Sequence, residues 1–403
     1  MNILVGQSGG PTAVINSSLA GIISAAFDSS EIETVYGALY GIEGFLDNQV
    51  LNLNSYFDLE KIELLKTTPG AFLRSCRYPL PKDLNDPVYP KIFEKLDMLG
   101  IGAFIYIGGN DSMTTVDRLS KYAEKINHPC IFLGVPKTID NDLPIIDHCP
   151  GYGSAAKYVA TQVRNIGMDI YAYKAKSVTI VEIMGRHAGW LTASSILARK
   201  YEGDNPVYIY LPEVPFSIEQ FLSDIEEGFK QHNHLLICVS EGVKDKNGKF
   251  ISEHDTVVEK DQFGHKYLKG CGIILEKIVK SKFGVKTRSI ELSLPQRCSA
   301  ECQSAVDVQE AFDAGVFAVK SVTNKENAKM VCINRVNNDP YKVDYSLVDV
   351  AMVADKEKFV PINMITPSHN NVNDEFINYC LPLIQGETKI KMENSMPSYL
   401  YIN

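Results

Sequence analysis

The stretch "AFIYIGGNDSMTT", residues 103–115, decides how the chain is read. An apolar run closes on two glycines, and glycine at such a place lets backbone come close to a neighbour, phosphate being the commonest guest. The turn then presents Asn110 and Asp111, a carboxylate where an anion would be expected to sit. Outward from this run the pattern repeats. Short apolar segments rich in β-branched residues fall at 2–5, 34–39, 130–135, 177–183, 207–211, 235–240 and 289–294. Longer amphipathic stretches lie between several of them, such as "PTAVINSSLAGIISAAF" and "GSAAKYVATQVRNIGMDIYAYK". That alternation predicts an α/β fold, a mostly parallel sheet with helices on both faces. Near-continuous apolar runs such as "CIFLGV" fit strands buried on both sides.

A chain of 403 residues is too long for one ordinary core and suits two domains, or one large domain with a lobe. Its 45% apolar and 22% charged content is that of a soluble globular enzyme. A formal charge of -9 argues against a nucleic-acid surface, which would carry a basic face. The nine cysteines lack paired short spacings and read as reduced thiols. Nothing approaches the ~18 to 20 apolar residues of a membrane span, and no basic-then-apolar leader opens the chain. A cytoplasmic enzyme with no membrane partner is the expectation.

In open parallel sheets ligands sit beyond the carboxyl ends of the strands, so the residues there carry the argument. In "GQSGGPTAVIN", Gly9 and Gly10 allow close approach and Pro11 suits the first residue of a helix, whose positive end would face an anion. A tight turn without a ligand explains that motif equally well. "GVPKTIDNDLP" gathers Lys137, Thr138, Asp140 and Asp142, and the two carboxylates converge only if the loop bends. "VEIMGRHAGW" puts Arg186 at a strand end, fit for an anionic substrate or for a plain salt bridge. "CVSEGV" ends a strand on Glu241. "KTRSIELSLPQRC" places Arg288 and Arg297 at the ends of another, and a bend at Pro295 would let them converge.

Each piece is weak, but their order is specific. "GGPTAVIN", "SCR", "GGNDS", "PKTIDND", "MGRHAGW", "SEG" and the paired arginines together resemble the phosphofructokinase family, from residue 3 to near residue 300. The resemblance implies two Rossmann-like lobes with the active site in the cleft between them. Residues 1–149 with 297–340 would form a larger, donor-binding lobe and residues 150–296 a smaller, sugar-phosphate lobe, with 341–403 an extension packed on both. The tail after Lys320 reads as helical and connecting structure. A homodimer or homotetramer is implied, with sites near subunit interfaces.

The implied reaction is phosphoryl transfer to the 1-hydroxyl of fructose 6-phosphate, driven by positioning and charge neutralisation. By resemblance Asp140 is the general base, while Thr138 and Asp142 orient sugar and metal. Met184, Gly185 and Arg186 match the sugar-binding turn, and Glu241 an acceptor of sugar hydroxyls. Arg288 and Arg297 match ligands of the 6-phosphate, the first reaching over from a neighbouring subunit. Gly10 matches a backbone donor to the phosphoryl donor, and Arg77 a side chain spanning donor and acceptor. Magnesium is the implied cofactor, placed at Asn110 and Asp111.

ATP-dependent members carry glycine where this chain has Asp111 and Lys137. A carboxylate at the first position fills the space of an α-phosphate, and an ammonium at the second suits a pyrophosphate donor, so the pyrophosphate-dependent branch is expected. An ATP-dependent enzyme is the alternative, and a non-catalytic metabolite-sensing subunit is the rival of another class. Several positions depart from the family pattern: Asn110 replaces an Asp, Leu294 a His and Ser177 an Arg, the last with Lys176 beside it, and "QRC" stands in place of "QRGG".

Overall fold

The computed structural model describes residues 1–201, 203–254 and 270–402. In chain order the main strands are β1 (Asn2–Gln7), β2 (Val35–Ala38), β3 (Val50–Asn52), β4 (Ile101–Gly108), β5 (Ile131–Pro136), β6 (Ser177–Ile183), β7 (Tyr208–Tyr210), β8 (His234–Ser240), β9 (Lys286–Glu291), β10 (Lys329–Asn338) and β11 (Tyr341–Asp349). They fall into two compact units. One comprises Met1–Ala155, Arg297–Lys358 and Pro382–Asn403, the other Ala156–Gln296 and Phe359–Leu381.

In the first unit seven strands lie in the order β11-β10-β5-β4-β1-β2-β3. The inner pairs are parallel, while β10 with β11 and β2 with β3 run antiparallel. Side chains alternate across the sheet as the pleat demands. Phe104 and Tyr106 of β4 enter one core with Met113 and Phe93, whereas Ala103, Ile105 and Ile107 enter the opposite one with Ile15, Leu19 and Ala318. On that second face the helices Ile15–Phe27 and Ala305–Thr323 approach closely. A Cβ at Gly21 would lie 2.0 Å from the Phe312 carbonyl oxygen, and one at Gly315 would lie 2.2 Å from that of Ser18. Only glycine fits this crossing.

The second unit has four parallel strands in the order β7-β8-β6-β9, with Ile183 of β6 in register with Ser240 of β8. Its core is built from β-branched and aromatic residues such as Val178, Ile180, Ile237 and Phe221, all buried.

Two sequence expectations are corrected. Pro11 does not open a helix: the helix starts at Ile15, and residues 11–14 are held as a loop in which the Thr12 carbonyl accepts from Gly70 N–H at 3.1 Å. The stretch after Lys320 is not mainly helical, because β10 and β11 form an antiparallel hairpin that finishes the first sheet. Alternating exposure along "YKVDYSLVD" is the mark of a half-buried edge strand.

Candidate active site

Sheet order assembles the site in the first unit. Strand β1 lies between β4 and β2, so the chain reverses its winding direction there, and ligands bind outside the carboxyl ends of strands at such a switch point. In register, Gln7 pairs with Ile107 and Ile107 with Val135, which sets "SGG", "GGND" and "PKTIDND" side by side at one sheet edge.

At their centre is Lys137, 3% exposed. Its N–H donates to the Gly108 carbonyl at 3.0 Å and its ammonium to the Gly10 carbonyl at 2.7 Å. Gly9 adopts φ +79°, and a Cβ there would meet the Lys137 nitrogen at 3.2 Å. A Cβ at Gly10 would lie 3.6 Å from the guanidinium carbon of Arg297. The two glycines thus carry a lysine on one side and an arginine on the other. Burial lowers the Lys137 pKa to about 8; Asp140 and Asp142 pull it back up, while Arg297 and Arg77 push it further down. Three cations round one bare backbone turn make a receptor for a polyanion.

The next loop carries the carboxylates. Thr138 accepts the Asp140 N–H on its hydroxyl at 3.1 Å. Asn141 has φ +54°, a left-handed conformation that supplies the bend between Asp140 and Asp142 on which their joint action depended. The Asn141 side chain is fully buried and accepts from Cys149 N–H at 3.0 Å, fixing the bend. Asp142 is pushed above the ordinary carboxylate range by burial, against the opposing pull of hydrogen bonds from its own backbone and Thr138. Its Oδ1 is buried without a hydrogen-bond partner.

Of the opening pair of glycines, Gly108 serves packing: a Cβ there would lie 1.9 Å from the Ser112 hydroxyl. Gly109 caps the helix Asn110–Lys125 with no side-chain cap; its carbonyl accepts the Ser112 N–H at 3.0 Å, and the N–H groups of Asn110 and Asp111 precede the first intrahelical bond. Asp111 is exposed in the first turn of that helix, and the Asn110 amide donates to the Lys356 carbonyl. Arg77 is also exposed, while Ser75 donates to the Gly9 carbonyl at 2.6 Å.

In the second unit the parallel pair β6 and β8 sets "MGR" beside "SEG". Glu241 accepts the Gly185 N–H at 3.3 Å, and Gln296 accepts that of Met184 at 3.2 Å. Ser240 donates to the Gly185 carbonyl at 2.6 Å. The exposed Arg186 lies over the Phe250 ring, 5.2 Å from its centroid. Arg288 stands in β9, 3.7 Å from Asp169 in a half-exposed pair, a contact weak enough to yield to an anionic ligand. Arg297 is in the first unit against Gly10. The exposed Lys176 donates to the Phe229 carbonyl at 3.2 Å, and Leu294 is exposed.

Sequence reasoning did not single out Asn141, Gln296 or Phe250. Asn141 and Gln296 lie inside quoted motifs, and a bend required between two aspartates was the one signal for Asn141. Phe250 follows a polar turn, "KDKNGK", and carries no local signal.

Among the described residues no group of three or more His, Cys, Asp or Glu is placed to hold a metal ion by itself, and no helix is long and apolar enough to cross a membrane. Comparison with known proteins agrees with the geometry. The phosphofructokinase family model matches residues 2–322. A protein of Halomonas elongata named pyrophosphate--fructose 6-phosphate 1-phosphotransferase is 36% identical over 401 residues, covering 98% of this chain and 94% of its own. One of Alkalicoccus urumqiensis named sulfofructose kinase is 36% identical over 363 residues, covering 90% and 91%. The crystal structure of a pyrophosphate-dependent phosphofructokinase from Nitrosospira multiformis superposes with a TM-score of 0.90 at 34% identity, over 99% of this chain and 95% of that one. A diglycine turn lined by Lys137 and Arg297, an aspartate loop bent at Asn141 and full-length likeness to these proteins lead to one conclusion: the chain belongs to the phosphofructokinase family.

Proposed function

We infer that the protein transfers a phosphoryl group from pyrophosphate to the 1-hydroxyl of fructose 6-phosphate, giving fructose 1,6-bisphosphate and orthophosphate. The observation that carries this reading is the buried Lys137 ammonium at the diglycine turn, 2.7 Å from the Gly10 carbonyl. The first unit would take pyrophosphate and the second the sugar phosphate. In the reaction the 1-oxygen attacks the terminal phosphorus, the bridging P–O bond breaks, and orthophosphate leaves. Asp140 accepts the hydroxyl proton. Lys137 and Arg77 balance charge on the donor, and Gly10 offers backbone to its phosphates; Arg297, which the resemblance gives to the 6-phosphate, stands against Gly10 and in this reading serves the donor as well. Asp111, at the mouth of the turn, repels the further phosphate of a nucleotide. Met184, Gly185, Arg186 and Glu241 orient the sugar, with Thr138 and Asp142 beside the reacting hydroxyl. Arg288 serves the 6-phosphate, in a homodimer or homotetramer.

Magnesium fits the donor set. Asn110 and Asp111 open the helix at this turn with side-chain oxygens, and the Asp142 Oδ1 is buried and lacks a partner, donor chemistry that suits an ion that takes few protein ligands and keeps water. Asn110 and Asp111 would hold it, and when bound it supplies positive charge to the phosphate oxygens.

A second acceptor is favoured by Leu294, exposed and apolar where the family resemblance implies a histidine at the 6-phosphate. Sulfofructose, whose anion carries less charge than a phosphate, would need fewer cationic partners. An assay with Mg²⁺ and fructose 6-phosphate, run with pyrophosphate and ATP in turn and then with sulfofructose as acceptor, tests both assignments. Turnover with ATP alone would overturn the donor, and turnover with sulfofructose alone the acceptor.

A further inference from the structure

Residues 355–358 lie beyond the stretch that the family model matches, yet they touch both motifs of the donor site. The Asp355 carboxylate accepts from the Thr114 hydroxyl at 3.0 Å, and the Lys356 carbonyl accepts from the Asn110 amide. Two residues on, Lys358 N–H donates to the Asp142 carbonyl at 2.7 Å. The Lys358 ammonium donates to the Asp147 and Ile146 carbonyls at 2.8 and 3.1 Å and reaches Oδ1 of Asn141 at 3.4 Å. One four-residue segment therefore holds the start of the helix Asn110–Lys125 with one end and the aspartate loop with the other. All of these residues belong to the first unit.

We propose that residues 355–358 form a strap that fixes the spacing between the Asn110–Asp111 turn and the Asp140 loop, with Lys358 as its positioning residue. Lysine suits the task because its three N–H donors match three convergent oxygens. The side chain acts through Asn141, whose left-handed bend separates Asp140 from Asp142. Phosphoryl transfer depends on in-line placement of donor and acceptor, so a loop that drifts from the donor turn loses rate before it loses substrate. The inference rests on the reading of Asp140 as the base.

The test is Lys358→Met, which keeps the stem and removes the donors, compared with wild type in steady-state kinetics and thermal melts. The strap predicts a fall in kcat of about 10- to 100-fold with KM for both substrates within about twofold. A lowered melting temperature with unchanged kcat per folded enzyme would leave Lys358 a purely structural residue and overturn the proposal. Thr114→Val loosens the other end without touching the loop. It is expected to lower kcat several-fold, and its effect should be less than additive with Lys358→Met. If Lys358→Met does not fold, Thr114→Val decides, and an unchanged kcat there overturns the strap. Should wild type use ATP and not pyrophosphate, the functional reading fails, while the same kcat comparison made with ATP still decides the strap.

Discussion

The Lys137 ammonium stands 2.7 Å from the Gly10 carbonyl, a buried cation fastened to the backbone of the turn that the resemblance assigns to the phosphoryl donor. The lysine therefore reaches that turn already oriented, and its rotamer freedom is lost in folding and not at substrate binding.

Lys137→Met should lower kcat with pyrophosphate by about 100-fold, the usual cost of losing one preorganised charge donor. Because burial brings the Lys137 pKa to about 8, kcat/KM for pyrophosphate should fall as pH rises through that value. Lys137→Arg should remove that alkaline limb. The effect on stability runs the other way. Between about 8 and the unfolded value of 10.5 the unfolded chain holds a proton the folded one has released, so the cost of burying the charge is relieved as pH rises. A pH–rate profile of both proteins beside pH-dependent melts checks the two signs.

Asp140→Ala should reduce kcat by about 10²- to 10⁴-fold, the range of general base catalysis. Equilibrium binding of fructose 6-phosphate, followed by calorimetry, should survive. Near-normal turnover would take the base away from Asp140.

Exchanging Asp111 and Lys137 for glycine together should open the turn to nucleotide. The ratio of kcat/KM for ATP over pyrophosphate is expected to rise at least about 10-fold in Asp111→Gly and further in the double variant. An unchanged ratio, measured with both donors at equal Mg²⁺, would remove Asp111 from donor choice.

Away from the site, His148 is buried between two carboxylates, 2.7 Å from Asp147 and 2.6 Å from Glu310. Burial opposes its charge, but Glu310 and Asp147 outweigh it and raise its pKa to about 9. The stabilisation is complete below the unfolded value of 6.5 and is lost as pH rises through about 9. His148→Gln leaves the carboxylates short of a cation, and a loss of about 3 kcal/mol is expected. Chemical denaturation at pH 6 and pH 10 should show a large difference from wild type at the first and a smaller one at the second.

The strands near the site were legible because they are continuous apolar runs ending on small or acidic residues. The run at 177–183 coincides with β6, and those at 103–107 and 130–135 fall within a residue or two of β4 and β5. Strands β10 and β11 were not, since charged residues break their apolar runs and only the alternation in "YKVDYSLVD" betrays a pleat. Within the site, the sequence pointed to Lys137, Asp140 and Asp142 as one cluster, and the structure places them on one loop. It did not point to Arg297 against Gly10, because that contact joins residues 287 positions apart (297 − 10). Lys358 was silent for the same reason: a lone lysine in "EKFVP" looks like any surface charge until the fold brings it to Asn141.

Everything proposed for the site turns on pyrophosphate being the phosphoryl donor to fructose 6-phosphate. Phosphorus-31 NMR of the purified enzyme with Mg²⁺, pyrophosphate and fructose 6-phosphate tests it most directly. The pyrophosphate resonance should fall while orthophosphate and fructose 1,6-bisphosphate grow in equal amounts, and adding the two products should restore pyrophosphate. A pyrophosphate resonance that stays constant, in a preparation that consumes ATP under the same conditions, would contradict it.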